Sequence, residues 1–137
     1  MSSLRVLCAS ALLFAGCSGG GANPAPTESG PSGSLGVITV AAAAEVVGAI
    51  CDLRETTDRD RANGLFFDRA HQTLHVLAAA TEVEDRVAAA GLLEATQAVE
   101  ADLRTEALPK SFRSDVGGLL DGTRSALRAI DLPAPGC

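Results

Sequence analysis

The only two histidines of the chain, His71 and His75, lie four residues apart in a segment with helical character. Because residues four apart project from the same face of an α-helix, both imidazole rings can reach one metal ion. Asp68 lies three residues before His71, on the same side, where a carboxylate can complete the coordination sphere or orient an imidazole. The spacing therefore predicts a metal site with the two histidines as nitrogen ligands.

Glu94 is the second acidic ligand that the sequence predicts. It shares a helical face with small apolar residues, and a buried carboxylate is costly unless a cation or a hydrogen-bond donor meets it. If the chain turns near Thr81, His71 and Glu94 lie within roughly 5 Å of each other along the bundle axis. His71, His75, Asp68 and Glu94 then predict a nitrogen and oxygen site suited to Zn, Cu(II) or Fe. The alternative is that the histidines lie on a surface flank and bind nothing, while Glu94 pairs with Arg or Lys of another helix.

Motifs for other chemistries are missing from the sequence. Zinc proteases of the HExxH type need glutamate directly after the first histidine, and Gln72 stands there. The ExxH repeats of di-iron bundles, the CxxCH of haem attachment, the GxSxG elbow and the glycine-rich phosphate loop do not occur. The formal net charge is −6 and Lys110 is the single lysine, which argues against nucleic-acid binding. We therefore expect neither an enzyme nor a nucleic-acid partner.

Four helices are expected to position these side chains. Ala, Leu, Val, Arg, Asp and Glu dominate the C-terminal hundred residues, and the chain has no Tyr or Trp, which favours an all-α domain. The predicted helices cover about 37–55, 57–80, 81–104 and 110–130. The first is apolar nearly all round and is expected to lie deep in the bundle. Thr81 and Glu84 have the spacing of a capping box, and Pro109 suits a first helical turn. Short connections between such helices predict an up-and-down four-helix bundle.

The N-terminus carries an export pattern. Arg5 precedes an apolar stretch over residues 6–15, which is too short to span a bilayer, since a permanent helix needs roughly 20 apolar residues. This stretch ends in Leu-Phe-Ala-Gly-Cys at residues 13–17. These residues resemble the lipobox of bacterial lipoproteins, which implies that Cys17 receives a diacylglycerol and becomes the new N-terminus. The alternative is an ordinary secretory signal cleaved near Ala15 or Gly16.

The predicted domain organisation follows from this pattern. Residues 1–16 are expected to form the signal peptide, and 17–35 the lipidated cysteine with a flexible Gly/Ser/Pro tether. Glu28 is the only charged residue of that tether. A Gly-rich chain of this length has an end-to-end distance of roughly 20 to 25 Å. Residues 36–137 are expected to form one helical domain, anchored by lipid to the extracytoplasmic face of the cell membrane.

The cysteines are consistent with export. Cys8 leaves with the signal peptide and Cys17 takes the lipid, so Cys51 and Cys137 remain and predict a disulfide in an oxidising compartment. In a simple bundle such a bridge requires the tail over 131–137 to run back along the helices, which seven residues at about 3.3 Å each can just manage. The alternatives are two free thiols or one thiol ligand in a metal site.

Two function classes follow from these observations. In the first, the domain is a membrane-tethered metal binder, or a metal-handing accessory of the cell envelope, with His71 and His75 as ligands. In the second it is a non-catalytic interaction module, in which Phe67, His71 and His75 form an edge that docks on a membrane complex without metal.

Overall fold

The computed structural model describes residues 37–137, and that part of the chain contains five α-helices and no strand. The helices are α1 (Val40–Glu55), α2 (Arg59–Arg69), α3 (His71–Glu82), α4 (Arg86–Leu103) and α5 (Phe112–Ala129). The predicted all-α class is confirmed. No helix within 37–137 has the length and apolar character that crossing a membrane requires. The predicted signal peptide, Cys17 and the tether lie outside the described residues.

Five helices replace the predicted four because the second predicted helix is divided at Ala70. The backbone of Ala70 has φ −116° and ψ −46°, well away from the α-helical φ of about −63°, so α2 ends at Arg69 and α3 begins at His71. Ala70 is buried, and the break lets α2 pack mainly on α1 while α3 packs on α4 and α5. Neither proline nor glycine stands at the break, so no local signal in the sequence marks it.

The turn between α3 and α4 also lies later than the capping-box pattern predicts. Thr81 does not begin a helix; it is buried within α3, where its hydroxyl donates a hydrogen bond of 3.3 Å to the carbonyl oxygen of Ala126. Asp85 caps α4 instead, because its carboxylate accepts from the backbone N–H groups of the two residues that follow Arg86. The chain therefore turns at residues 83–85.

The core is formed by one apolar face from each helix. On α1 the buried residues recur at helical spacing, while Val40 at its start is 57% exposed. Thus α1 buries only one face, and the prediction from its composition that it lies deep in the bundle is wrong. Gly122 brings α5 close to α4, since a methyl group at that position would lie 3.4 Å from the Cα of Leu92. The largest fully buried side chains are Phe66, Ile50, Leu53, Leu74, Leu77, Leu92, Leu103, Leu119, Leu120, Leu127, Val46 and Val47.

The chain reverses direction directly after α5. Asp131 adopts φ 57°, and the N–H of Leu132 donates a hydrogen bond of 2.9 Å to the carbonyl oxygen of Leu127. The N–H of Asp131 donates in turn to the carbonyl oxygen of Arg128 at 3.2 Å. These two hydrogen bonds form a Schellman motif, in which the residue of positive φ follows the helix C-cap.

The tail then returns along the bundle as the sequence predicts. Nε of Arg124, within α5, donates a hydrogen bond of 3.2 Å to the carbonyl oxygen of Pro135. Cys137 forms a disulfide with Cys51, with a Cα–Cα distance of 5.6 Å. The predicted Cys51–Cys137 bridge is thereby confirmed, and it fastens the end of the chain to the last turns of α1.

Candidate metal centre

His71 is the first residue of α3, and its ring lies among aromatic neighbours. The ring centroid lies 5.5 Å from that of the buried Phe66 and 5.3 Å from that of Phe67. One turn later the His75 ring lies 4.6 Å away, nearly perpendicular to it. Packing against two phenyl rings restricts the orientation of the His71 imidazole before any ligand is bound.

Glu100, near the end of α4, joins the two histidines. Its Oε1 lies 2.9 Å from Nε2 of His71 and 4.0 Å from Nε2 of His75, and the two Nε2 atoms are 3.2 Å apart. The Glu100 side chain is only 15% exposed, whereas that of His75 is 47% exposed. Two imidazole nitrogens and one carboxylate oxygen thus converge, and this group has the ligand types that transition metals prefer.

Arg104 orients the carboxylate of Glu100. It lies one helical turn further along α4, and its guanidinium donates a hydrogen bond of 3.1 Å to Oε2. Because the Arg104 side chain is 74% exposed, this ion pair contributes little to stability. Its effect is geometric, since occupying Oε2 leaves Oε1 directed at the histidines.

The structure does not bring Asp68 or Glu94 into this group. Asp68 belongs to α2, on the other side of the break at Ala70, and its exposed carboxylate is turned back toward Gly64 on the same helix. Glu94 is also exposed, so the prediction that its carboxylate is buried is wrong. The acidic member of the group is Glu100, which the sequence pattern did not predict as a ligand.

Helical phase explains why Glu100 replaces Glu94. When the chain turns at residues 83–85, Glu94 and Glu100 are each displaced from His71 by about 4.5 Å along the helix axis, at 1.5 Å per residue. At 100° per residue, Glu94 lies about 180° from the centre of the buried face of α4 and Glu100 about 60° from it. That buried face is Ala89, Leu92, Thr96, Val99 and Leu103.

A sequence signal for Glu100 exists. The sequence prediction took the face that carries Glu94 as buried, but Val87 on that face is 84% exposed in the structure. If the leucine-bearing face alone is taken as buried, Glu100 is the acidic residue that flanks it, with Arg104 four residues on.

A second acidic pair is formed by Asp102 of α4 and Asp115 of α5. Burial raises the pKa of the Asp102 carboxyl, and a hydrogen bond with Asp115 and the negative charge of Asp115 raise it further. One of its oxygens, Oδ2, is buried. Two carboxyls in this relationship hold a proton more tightly than separate ones do, which affects stability rather than metal binding.

Comparison with known proteins adds no relative to this description: no family model matches the chain, and neither a curated protein nor a solved structure shows significant similarity to it. Function is therefore inferred from the geometry of the residues themselves.

Proposed function

We propose that the chain is a lipid-anchored extracytoplasmic protein whose helical domain binds one transition-metal ion through His71, His75 and Glu100. The observation that carries this proposal is the convergence of one atom from each of the three side chains. The proposed ligand set keeps both histidines of the sequence prediction and replaces its two carboxylates by one.

The size of the atom triangle supports this proposal. Its corners are Oε1 of Glu100 and the Nε2 atoms of His71 and His75, and its sides are 2.9 Å, 3.2 Å and 4.0 Å. The point equidistant from these three atoms lies about 2.0 Å from each of them. Zinc bonds to histidine nitrogen measure about 2.0–2.1 Å and bonds to carboxylate oxygen about 2.0–2.2 Å. A tetrahedral ion with bonds of this length needs ligand atoms about 3.4 Å apart, so each of the three distances would change by less than about 1 Å on binding.

Hydrogen bonding alone satisfies the group poorly. Nε2 of His71 has two partners, Oε1 of Glu100 and Nε2 of His75, and a ring nitrogen either carries a proton or accepts one. If Nε2 of His71 carries a proton and donates it to Glu100, it cannot also accept a hydrogen bond from His75. If Nε2 is unprotonated and accepts from His75, it has no proton to donate to the carboxylate of Glu100. A cation satisfies all three lone pairs at once.

The exposure of the group favours an ion that exchanges over one that is structural. Three protein ligands leave a coordination position open, and closed structural zinc sites have four. His75 is half exposed, so water or another ligand can reach the ion from that side. Because the fold also has an apolar core and a disulfide, we propose metal binding or transfer, with Zn, Cu(II) or Fe as candidate ions and no catalytic step.

Two observations support the proposed location. The residues up to Cys17 resemble a lipobox, and the disulfide between Cys51 and Cys137 is of the kind that persists outside the cytoplasm. Expression of the full chain in a bacterial host tests this. We expect the mature protein to fractionate with membranes and to carry acyl chains at its N-terminus by mass spectrometry, and Cys17→Ser to lose both properties. A Cys17→Ser protein that is processed and retained like the parent would refute the anchor.

Calorimetric titration of the mature domain with zinc tests the metal site. We expect one ion per chain and a loss of about 100-fold or more in affinity for His71→Ala or His75→Ala, since even outer contacts of metal ligands are worth 10- to 100-fold. Gln72→Ala, an exposed neighbour on the same helix, is the matched control and should bind like the parent. Unchanged titrations after replacement of both histidines would refute the proposal.

One observation favours the second candidate function, a non-catalytic module that docks on a membrane complex of the cell envelope. Phe67 is 40% exposed and lies against His71, so an aromatic edge accompanies the histidines at the surface. Under this function, Phe67→Ala loses co-purification with a membrane partner, and neither the parent nor the variant binds zinc. Under metal binding, the histidine variants lose the ion whether or not a partner is present.

A further inference from the structure

Apolar side chains are exposed at one end of the helical domain. Val37, Val83 and Val87 are each 84–88% exposed, and Val40 is also largely exposed. In residues 37–137 the only other exposed large apolar side chain is Phe67, which is 40% exposed and lies beside the candidate metal centre. The four valines are not required by the core, since each of them lies outside it.

The four valines belong to the same end of the fold. Val37 and Glu84 line one groove together with Ala80, Ile130 and Leu132, so the entry to α1 meets the turn between α3 and α4. Val83 lies in that turn, and Val40 and Val87 lie in the first turns of α1 and α4. We call these four residues the valine end.

The candidate metal centre lies toward the opposite end of the same helices. His71 begins α3, whereas the valine end follows its last residue, and Glu100 lies near the end of α4. Val87 and Glu100 are 13 positions apart, which at 1.5 Å per residue separates them by about 20 Å along α4. A surface that covers the valine end therefore leaves the metal centre free.

The position at which the chain enters the domain indicates what covers the valine end. Val37 is the first described residue, and Cys17, the proposed site of the lipid, lies only 20 residues before it. Because a residue spans at most about 3.3–3.6 Å, 20 residues of chain reach no further than about 70 Å. The chain enters the first helix at the valine end, so this end is the one nearer to the proposed lipid anchor along the chain.

We infer that the valine end rests on the lipid surface, with the side chains of Val37, Val40, Val83 and Val87 in the membrane interface and the metal centre facing away. This inference rests on the proposed acylation of Cys17. Tethering raises the local concentration of the domain at the membrane into the millimolar range, so contacts too weak to bind a free domain become populated.

The charges at this end restrict the kind of lipid surface. Glu82, Glu84 and Asp85 are exposed in or beside the turn, and Arg86 is the cation next to them. An anionic surface repels this acidic cluster, so contact is expected on zwitterionic headgroups such as phosphatidylcholine and is reduced when anionic lipid is added. A basic, amphipathic membrane-binding helix would show the opposite dependence.

Tryptophan fluorescence tests the contact without background, because the chain contains no Trp or Tyr. The acylated full-length mature protein is reconstituted in phosphatidylcholine vesicles whose acyl chains carry bromine, a quencher of indole. We expect Val87→Trp to lose at least half of its emission relative to unbrominated vesicles and to shift to shorter wavelength. Ala101→Trp, exposed on the same helix beside the metal centre, is the control and should lose less than a tenth.

The outcomes separate this inference from the proposal on which it rests. Mass spectrometry and vesicle flotation first establish whether the protein is acylated and anchored; failure there overturns the anchor and the inference together. If the protein is anchored and the Val87→Trp indole is quenched no more than the Ala101→Trp indole, the contact is refuted while the anchor stands. If the Val87→Trp indole becomes shielded from solvent only when a membrane protein is added, the contact with lipid is likewise refuted.

Discussion

Oε1 of Glu100 and Nε2 of His71 lie 2.9 Å apart, although 29 residues separate them along the chain. This contact joins the end of α4 to the start of α3 and completes a group that two histidines on one helix do not form alone. It depends on the turn at residues 83–85 and on helical phase, since a glutamate six residues earlier on α4 faces solvent.

Glu100→Gln tests the acidic member of the site against the glutamate that the sequence suggested. Because glutamine is nearly isosteric and lacks the negative charge, zinc affinity is expected to fall about tenfold to 100-fold with the helices intact. Glu94→Gln makes the same chemical change at an exposed position of α4 and should leave affinity within about twofold. Competition with a zinc-sensitive dye measures both variants, and equal losses for the two would contradict the assignment of Glu100.

The disulfide is expected to be a main source of stability. It closes a segment with a sequence separation of 86 residues, so removing it enlarges the conformational freedom of the unfolded chain. The double variant Cys51→Ser/Cys137→Ser should lower the free energy of unfolding by about 2–4 kcal/mol in urea titrations. Reduction of the parent protein should give the same loss, and a double variant as stable as the oxidised parent would refute the prediction.

Asp131 holds a backbone conformation that glycine adopts more readily. Its φ of 57° falls in the left-handed region, where residues with a Cβ are disfavoured and helix C-termini usually carry glycine. Asp131→Gly is expected to raise the free energy of unfolding by about 0.5–1 kcal/mol. Asp131→Ala retains a Cβ and should show no such gain, so equal stabilisation by both substitutions would argue against relief of backbone strain.

The pair of Asp102 and Asp115 predicts a pH dependence of stability. Burial and Asp115 raise the pKa of Asp102 above its ordinary value of 3.8, so the folded protein holds this proton more tightly than the unfolded chain. The contribution to stability is present below that ordinary value and is lost as the pH rises through the folded pKa. Asp102→Asn should therefore be more stable than the parent at pH 7 and differ little from it at pH 3.

Urea titrations at several pH values measure this dependence. Asp121→Asn, an exposed carboxyl on α5, is the matched control and should follow the parent at every pH. A parent-like pH profile in Asp102→Asn would show that the pair does not carry the dependence.

The features that were predicted correctly from the sequence depend on local patterns and on elimination. Helical periodicity indicates the all-α class and a last helix after Pro109, although that helix begins at Phe112 and Pro109 is not in its first turn. Cys51 and Cys137 remain as a pair once the N-terminal cysteines are assigned elsewhere. His71 and His75 meet because four residues complete about one helical turn.

The features that were missed depend on tertiary packing. Nothing at Ala70 breaks a helix, and the interruption there lets α2 and α3 pack on different partners. Thr81 has a capping-box pattern but is buried against α5, so Asp85 caps the next helix. That shift, together with the choice of the wrong buried face, is why Glu94 was selected in place of Glu100.

The most direct test of the central claim is an NMR titration of the mature domain with zinc. Since the chain has only two histidines, the Nε2 signals of His71 and His75 are readily distinguished by single substitution. We predict that both Nε2 signals and the carboxylate carbon of Glu100 change together and saturate at one equivalent of zinc, while the carboxylate of Glu94 does not change. An imidazole that is unaffected at saturation, or a Glu100 signal that behaves like that of Glu94, would contradict a metal site formed by these three side chains.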